Sequence, residues 1–268
     1  MLELTGIMNI DLTNKNALVC GSSAGIGKAS AMEMASLGAT ITLVARNEDK
    51  LKAVLSELPT SQGQDHNYLV ADFTNPSALK ETVIEATHLR RYHILINNTG
   101  GPKGGPIFSA EVNEFTQAFS NHLVCNQILV QNVVPGMKEA RYGRIINIIS
   151  TSVKQPIDGL GVSNTIRGAV ASWSKTLANE LGPFGITVNN VLPGFTATDR
   201  LEDIIGNASK RFEGSEEKAS NFMKSLVPAR RFAEPSEIAN AVTFLASEAA
   251  SYINGINLPV DGGRTKSL

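Results

Sequence analysis

Residues 16–37, with the sequence NALVC-GSSAGIGK-ASAMEMASL, decide the fold of this chain. Ala17 to Cys20 is a short apolar run that ends at a glycine, which is typical of a buried strand. From Ile26 onward the apolar residues recur at helical spacing, and Gly38 then ends the helix. The segment therefore predicts a strand that leads into a helix through a glycine-rich turn.

The turn between this strand and this helix has the spacing Gly21-x-x-x-Gly25-x-Gly27. A helix that starts in a loop of small residues leaves its first backbone N–H groups without partners, and the helix dipole adds partial positive charge there. Both features suit a phosphate, and glycines let a diphosphate approach the backbone. Ordinary glycine-rich turns have a similar composition, so the spacing and the early position after a strand are what favour a nucleotide.

Composition and charge narrow the class of protein. The chain has 268 residues, 42% of them hydrophobic and 18% charged, which suits a globular protein with a sizeable core. Its 24 basic and 25 acidic residues give a net charge of −1, so no general field attracts nucleic acid or an anionic membrane. Cys20 and Cys125 suggest no disulfide framework. The N-terminus lacks a signal-peptide pattern and no apolar run reaches membrane-spanning length, so we expect a cytoplasmic protein.

Strands alternate with helices along the rest of the chain. Each predicted strand is a nearly continuous apolar run, which is typical of a parallel sheet covered by helices on both faces. Right-handed crossovers then give a single α/β domain over residues 1–268, a doubly wound parallel sheet of about seven strands. The predicted strands are residues 17–20, 40–45, 68–71, 93–96, 144–149, 186–191 and 255–260.

Polar residues gather where the predicted strands end. The clusters are residues 21–27, 46, 72, 97–100, 150–152 and 193–198. Loops are polar in general, but ligands of open α/β sheets bind at the carboxyl ends of the strands. Six polar clusters at one edge of the sheet therefore predict a binding site there.

A series of short motifs occupies these clusters. They are Gly21-x-x-x-Gly25-x-Gly27, Asp72, Asn97-Asn98-x-Gly100, Ser150, Pro193-Gly194 with Thr198, and Asp261-Gly262-Gly263. In this order they resemble the short-chain dehydrogenase/reductase family, and most of all its 3-oxoacyl-acyl-carrier-protein reductases. The resemblance runs from about Leu12 to Gly263. It implies a Rossmann-type fold and an NAD(P)-dependent oxidoreductase that interconverts C=O and CH–OH groups.

The resemblance also implies which residues bind the cofactor. Gly21, Ser23, Gly25, Ile26 and Gly27 would form the diphosphate loop. The adenosine would contact Asp72, Phe73, Asn98, Thr99 and Gly100. The nicotinamide end of the cofactor would contact Pro193, Gly194, Thr196 and Thr198, and Arg167 would bind the nicotinamide ribose.

The residue after the second strand sets the preference between NAD and NADP. An acidic side chain there binds the ribose 2′-hydroxyl, whereas an arginine suits a 2′-phosphate. This chain has Ala45-Arg46 and no carboxylate before Glu48. An arginine at a strand end is often merely solvated, but we interpret Arg46 as a contact for NADP.

The catalytic part of the family pattern is altered. By resemblance, the family's serine falls at Ser150, its tyrosine acid at Ser163, and its lysine at Arg167. The family's helix asparagine aligns with His122. Three of the four catalytic candidates (Ser150, Ser163, Arg167 and His122) therefore differ from the family pattern. We assign no residue to a metal site.

The usual proton donor is therefore missing, because an aliphatic hydroxyl is far less acidic than a phenol. The four tyrosines, at positions 68, 92, 142 and 252, are predicted to lie away from the cleft. His122 is the candidate that would titrate near neutrality, although a helix histidine bonded to backbone is the plainer interpretation. Lys154 is a second candidate donor.

Three functions remain open. The first is an NADP-dependent carbonyl reductase or alcohol dehydrogenase with an atypical proton donor. The second is a non-redox enzyme like the halohydrin dehalogenases, which use Ser, Tyr and Arg on this fold but lack the glycine-rich loop that is kept here. The third is a catalytically silent nucleotide-binding sensor or partner subunit.

Three segments are expected to contact a small-molecule substrate: residues 101–108, 153–161 and 195–227. We interpret residues 195–227 as a mobile helical lid, although an ordinary pair of surface helices fits the pattern equally well. Lys103 and the neighbouring glycines would admit an anionic group, but loop lysines are usually solvated.

The resemblance finally implies a homotetramer or a homodimer. The helix over residues 163–181 and the helix before it would form one interface. The helix from Pro235 and the strand 255–260 would form the other.

Overall fold

The computed structural model describes residues 8–267, and within them seven strands form one parallel sheet. The strands are β1 (Asn16–Cys20), β2 (Thr40–Ala45), β3 (Asn67–Val70), β4 (Ile94–Asn97), β5 (Gly143–Ile148), β6 (Ile186–Pro193) and β7 (Asn257–Val260). Their spatial order is β3-β2-β1-β4-β5-β6-β7. The doubly wound parallel sheet predicted from the sequence is confirmed. The signal-peptide prediction concerns residues 1–6, which lie outside the described residues.

Nine α-helices accompany these strands in the described part of the chain. They are α1 (Gly25–Ser36), α2 (Glu48–Glu57), α3 (Pro76–Leu89), α4 (Val112–Phe119), α5 (Cys125–Ala140), α6 (Gly161–Leu181), α7 (Asp199–Ser209), α8 (Glu216–Ser225) and α9 (Pro235–Ala246). Helices α7 and α8 lie within the segment interpreted above as a lid.

Helices cover both faces of the sheet. On one face, α1, α2 and α9 contribute buried side chains such as Met34, Leu51 and Val242. On the other face, α3 and α5 contribute Leu79 and Leu129 to a second core layer. A sheet that is buried on both faces needs apolar residues on both sides of each strand, which explains the continuous apolar runs.

The helical pattern predicted over residues 112–139 is interrupted. Ser120–Val124 forms one π-helical turn between α4 and α5. Such wide turns accommodate an extra residue and are frequent at functional sites. Here the turn carries His122, whose side chain is buried.

A row of asparagines crosses the sheet from the last residue of β4 to the first residue of β7. Asn97, Asn147, Asn190 and Asn257 are register partners on β4 to β7. Each side-chain amide donates to the next carbonyl oxygen along the row, at distances of 2.8, 2.9 and 2.8 Å. This asparagine row satisfies buried polar groups only when the strands are in register, so it helps to fix the register next to the site.

The strand order reverses between β1 and β4, because the chain builds outward to β3 and then returns beside β1. Ligands of open α/β sheets bind in the crevice beyond the strand ends at such a reversal. The loops after β1 and β4 flank this crevice.

Two further findings concern the described residues only. Among residues 8–267, no helix has both the length and the apolar character that crossing a bilayer requires. The same residues contain no group of three or more His, Cys, Asp or Glu side chains arranged to hold a metal ion.

Candidate active site

The glycine-rich loop after β1 is shaped by close backbone contacts. Gly21 and Gly25 have φ angles of +61° and +54°, a region that favours glycine. A Cβ on Gly21 would lie 2.6 Å from the carbonyl oxygen of Asn98, and a Cβ on Gly27 would overlap the carbonyl oxygen of Gly21. The glycines therefore let the loop fold tightly against the end of β4.

A serine that sequence reasoning overlooked fixes this loop to β2. The backbone N–H of Val44 donates to Ser22 Oγ at 2.9 Å, and the Ser22 N–H donates to the Val44 carbonyl at 3.3 Å. Ser22 is fully buried. The neighbouring Ser23 and Ile26 are half-buried. The motif alone gave no signal for Ser22, because its role depends on a residue 22 positions away.

The start of α1 fits a dinucleotide diphosphate. The residue before the helix, Ala24, has no side chain that can cap the first turn, and no side-chain capping bond forms. The first N–H groups are therefore free to bind an anion, beside a loop in which added Cβ atoms would fill the space. This cradle meets the requirements of a diphosphate group.

The residues expected at the adenosine lie around this cradle. Arg46 is exposed directly after β2 and forms no ion pair within residues 8–267. Asp72 follows β3, where its carboxylate accepts the Thr74 N–H at 2.9 Å. The backbone carbonyl of Phe73 accepts the Cys125 thiol at 3.3 Å, which holds the β3 loop against α5.

The loop after β4 and the segment after β6 complete the cradle. Asn98 Nδ2 donates to the Gly21 carbonyl at 3.4 Å, and Gly100 faces open space. A Cβ on Gly25 would lie 3.1 Å from Thr198 Cγ2, so the start of α7 rests against the glycine loop. The fold thus brings three distant parts of the chain to one place.

The residues expected at the nicotinamide end lie where β6 ends beside β7. The Gly194 N–H donates to the Val260 carbonyl at 2.9 Å. A Cβ on Gly194 would lie 2.7 Å from Asp261 Cα, which explains the glycine at this point. Thr196 is buried, and its hydroxyl donates to the Gly194 carbonyl at 3.2 Å.

A cleft of about 990 Å³ opens next to this end of the cradle. Ser150, Pro193 and Gly194 line it, together with α7 and α8 of the lid segment. Residues 103–104 and 155–160 form a further part of the wall, and they belong to two of the segments for which substrate contact is predicted.

Ser150 is the catalytic candidate that faces this cleft. Its Oγ accepts the backbone N–H of Ser152 at 3.1 Å. A hydroxyl has one proton to donate, and this contact uses only its acceptor capacity. The Ser150 proton therefore remains free to point at a carbonyl oxygen in the cleft.

His122 and Arg167 form a buried pair behind the cleft. Thr99 Oγ1 and His122 Nδ1 are 2.6 Å apart, and Arg167 Nη1 donates to the Ile148 carbonyl at 3.1 Å. Burial, assisted by the Arg167 charge, lowers the pKa of His122 to about 3. The expectation that His122 titrates near neutrality is therefore wrong, because its position in the π-helical turn removes it from water.

Arg167 stays charged at neutral pH despite its burial. Desolvation, with repulsion from Arg200 as the smaller cause, lowers its pKa to about 10. Both guanidiniums approach Gly101, since a Cβ there would lie 3.8 Å from Arg167 Nη2 and 3.9 Å from Arg200 Nη2. A fixed positive charge therefore lies beside the loop after β4.

The remaining candidates do not line the cleft. Ser163 is half-buried in the first turn of α6, and Lys154 is exposed. The tyrosines are also elsewhere: Tyr68 donates to Glu48, Tyr92 to Thr42 and Tyr142 to the Ala246 carbonyl. Tyr252 is fully exposed. No tyrosine of the described residues lies among the cleft-lining side chains.

The C-terminal segment is the part of the site that sequence reasoning missed. Arg264, Thr265 and Lys266 line the cleft beyond β7. The basic run after Asp261-Gly262-Gly263 was the available signal. It could not be placed in the site without knowing that the chain turns back across the ends of the strands.

Comparisons with known proteins agree with this geometry. Residues 21–265 match the family model described as Enoyl-(Acyl carrier protein) reductase. NADPH-dependent reductase BacG of Bacillus subtilis is 29% identical, over 96% of this chain and 100% of that protein. The 3-oxoacyl-[acyl-carrier-protein] reductase FabG of Haemophilus influenzae is 35% identical, over 94% of this chain and 98% of that protein.

Solved structures give the same result. L-Sorbose reductase from Gluconobacter frateurii, complexed with NADPH and L-sorbose, matches with a TM-score of 0.90 and 31% identity. The match covers 97% of this chain and 100% of that one. With the glycine-rich loop, the parallel sheet and a family match over most of its length, the chain belongs to the short-chain dehydrogenase/reductase family of oxidoreductases.

Proposed function

We propose that this protein is an NADP-dependent carbonyl reductase, or the corresponding alcohol dehydrogenase, that works without the usual tyrosine. The observation that carries the proposal is the Ser150 hydroxyl, which is oriented by Ser152 and faces a cleft next to an intact diphosphate cradle. A 3-oxoacyl compound is one substrate that the family resemblance suggests.

The residues of the cradle support NADP as the cofactor. The free N–H groups of α1 and the glycines Gly21, Gly25 and Gly27 suit the diphosphate. Arg46 is exposed and unpaired within the described residues, and it offers a charged, planar donor for the 2′-phosphate. The named relatives include NADPH-dependent enzymes and NADPH complexes.

When bound, NADPH supplies the hydride, and the protein residues orient and polarise the carbonyl. Ser150 donates a hydrogen bond to the carbonyl oxygen. Arg167, whose fixed charge lies beside the loop after β4, would bind the ribose at the nicotinamide end of the cofactor.

The proton that completes the alcohol comes from water in the cleft. His122 is neutral at physiological pH and makes its contact with Thr99, and Lys154 does not line the cleft. Ser163 is a weak acid on α6. A positioned acid typically contributes about a hundred- to ten-thousand-fold, so turnover should be slow compared with family members that keep the tyrosine.

The test combines cofactor binding with turnover. Calorimetric titration should show NADPH binding more tightly than NADH. A panel of ketones and aldehydes should then show NADPH oxidation, and Ser150→Ala should lower kcat/KM by about 100-fold or more without changing NADPH affinity. Ser77→Ala, which changes an exposed serine on α3, serves as the matched control.

The outcomes separate the alternatives. If NADPH binds but no carbonyl compound is reduced, the protein is a silent nucleotide-binding member. Turnover that is indifferent to nucleotide would instead support a non-redox enzyme. Absence of binding of either nucleotide would rule out both the reductase and the sensor.

We further propose that the protein acts as a cytoplasmic homotetramer or homodimer. Helices α4 to α6 would form one interface, and α9 with β7 the other. The apolar residues Val112 and Phe119 on α4 support this, since they are 82% and 43% exposed in the single chain.

A further inference from the structure

The substrate cleft has an unusual charge for a protein whose net charge is −1. Five basic side chains line it: Lys103, Arg200, Arg211, Arg264 and Lys266. Two acidic side chains do so, Asp158 and Asp203. Within the described residues, none of the five cations lies within 4.0 Å of a carboxylate oxygen. The cleft therefore has a net positive charge that the protein itself leaves unpaired.

Arg264 is the most buried of these five cations. Its guanidinium lies 4.4 Å from the centre of the Phe195 ring, which gives it a cation–π contact. It is half-buried, and desolvation lowers its pKa. Removing a charge from water is costly without a partner, so the position favours a bound anion.

The charge of Asp261 offsets part of this desolvation, but within the described residues no ion pair of 4.0 Å or less joins Asp261 to Arg264. Asp261 Oδ1 accepts the Gly263 N–H at 2.9 Å, and Oδ2 accepts the Thr265 N–H at 2.8 Å. The Lys266 N–H also donates to Gln155 Oε1 at 3.4 Å, across the cleft wall. These bonds hold the C-terminal segment in place and leave the Arg264 guanidinium available to a ligand.

The position of Arg264 points to the substrate rather than to the cofactor phosphates. Phe195, on which it stacks, directly follows Gly194 at the nicotinamide end, and Ser150 lines the same cleft. The diphosphate cradle lies at the start of α1 instead. Arg200 is less informative, because it approaches Gly101 and donates to the Pro102 carbonyl at 3.0 Å on the cofactor side.

We propose that the substrate is a carbonyl compound with an acidic group, a carboxylate or a phosphate, and that Arg264 binds this group. The proposal rests on the proposed reductase function and names its substrate class. The other cleft cations raise the local concentration of anions and so favour the same class. Arg264 is a specificity-determining residue, whereas Ser150 acts on the carbonyl.

The test compares charged compounds with neutral partners of the same shape. Pyruvate, acetoacetate and levulinate are each titrated against their methyl esters, and dihydroxyacetone phosphate against dihydroxyacetone. Calorimetry on the protein loaded with NADP⁺ measures binding without turnover, and NADPH oxidation measures reduction. At least one acid should bind about tenfold more tightly than its neutral partner, as expected for a hydrogen bond to a charged group. A preference for one of the three carboxylic acids indicates a carboxylate site, and a preference for dihydroxyacetone phosphate indicates a phosphate site.

The variant Arg264→Gln should remove this preference by raising Kd and KM for the acid about ten- to a hundredfold. The ratio of the constants for the acid and its neutral partner is the readout, and an unchanged NADPH affinity shows that the variant is folded. Lys210→Gln is the matched control, because it removes the same charge from an exposed residue that does not line the cleft.

Equal binding of all acids and their neutral partners would overturn the proposal. So would a preference that survives Arg264→Gln. If neutral esters are reduced as well as acids, only this inference fails and the reductase function stands. If acids bind preferentially but nothing is reduced, the anion site stands and the reductase function fails.

Discussion

At the scale of single residues, the chemistry of His122 is decided by its surroundings. In the sequence it is a helix histidine aligned with a catalytic position. In the structure it is buried and bonded to Thr99, and its burial and the nearby charge of Arg167 disfavour its protonation. A histidine in this position is an uncharged hydrogen-bonding group that holds the loop after β4.

The lowered pKa of His122 should make the folded state sensitive to acid. Because the folded value of about 3 lies below the ordinary value of 6.5, this group contributes no penalty above pH 6.5. As the pH falls below that, the unfolded chain gains a proton that the folded chain cannot. The free energy of unfolding should then fall by up to about 1.4 kcal/mol per pH unit from this residue.

Urea unfolding at several pH values between 7 and 4 measures this effect. His122→Gln should reduce the slope of stability against pH, since glutamine does not titrate. His88→Gln, which changes an exposed histidine on α3, is the matched control for the substitution itself. Equal slopes for the wild type and His122→Gln would show that the histidine is protonated in the folded state.

Residue-scale predictions from sequence succeeded where the cause was local. The glycine-rich turn after β1 was identifiable because its spacing reflects backbone geometry, and the φ angles of Gly21 and Gly25 lie in the region that favours glycine. The pKa of His122 was not predictable, because desolvation depends on residues distant in sequence.

At the scale of elements, the asparagine row is the feature that fixes how strands meet near the site. Asn147 is its centre, since its amide nitrogen donates to Asn190 and to Ser174 Oγ, while its oxygen accepts from Asn97. It is fully buried. Losing it would leave three neighbouring polar groups without a partner.

Asn147→Ala should therefore lower the free energy of unfolding by roughly 3 kcal/mol, since each buried unsatisfied group costs about 1–3 kcal/mol. Chemical denaturation of the purified variant measures the change. Asn221→Ala, at an exposed position on α8, should change stability by less than about 0.5 kcal/mol. A loss of similar size in both variants would mean that the asparagine row contributes little.

The elements themselves were largely predictable, because buried parallel strands need continuous apolar runs. The π-helical turn at Ser120–Val124 was not predicted, because its residues continue the helical pattern of the segments on either side. The asparagine row was not predicted from the sequence either. Asn97, Asn147, Asn190 and Asn257 are related only through strand register, which a sequence without contacts does not reveal.

At the scale of the whole molecule, the chain leaves apolar residues uncovered on one side. Phe108 is fully exposed, and Ile107, Val112 and Phe119 are 55%, 82% and 43% exposed. They lie on or beside α4, next to α6. This is the face that the homotetramer or homodimer proposal requires to be covered.

Phe119→Glu should weaken assembly, because it places a charge in an interface that would otherwise exclude water. Sedimentation velocity should show the wild type as an oligomer and the variant shifted toward the monomer. Leu89→Glu, which changes an 89% exposed leucine on α3, is the control and should sediment as the wild type does. A monomeric wild type would contradict the assembly proposal outright.

The path of Arg264, Thr265 and Lys266 along the cleft wall has a practical consequence for anyone who purifies this protein. An affinity tag fused directly behind these residues would sit at the mouth of the cleft, where its histidines or acidic linker could mask Arg264. Activity assays on such a fusion would then measure the effect of the tag on the cleft as well as the activity of the protein.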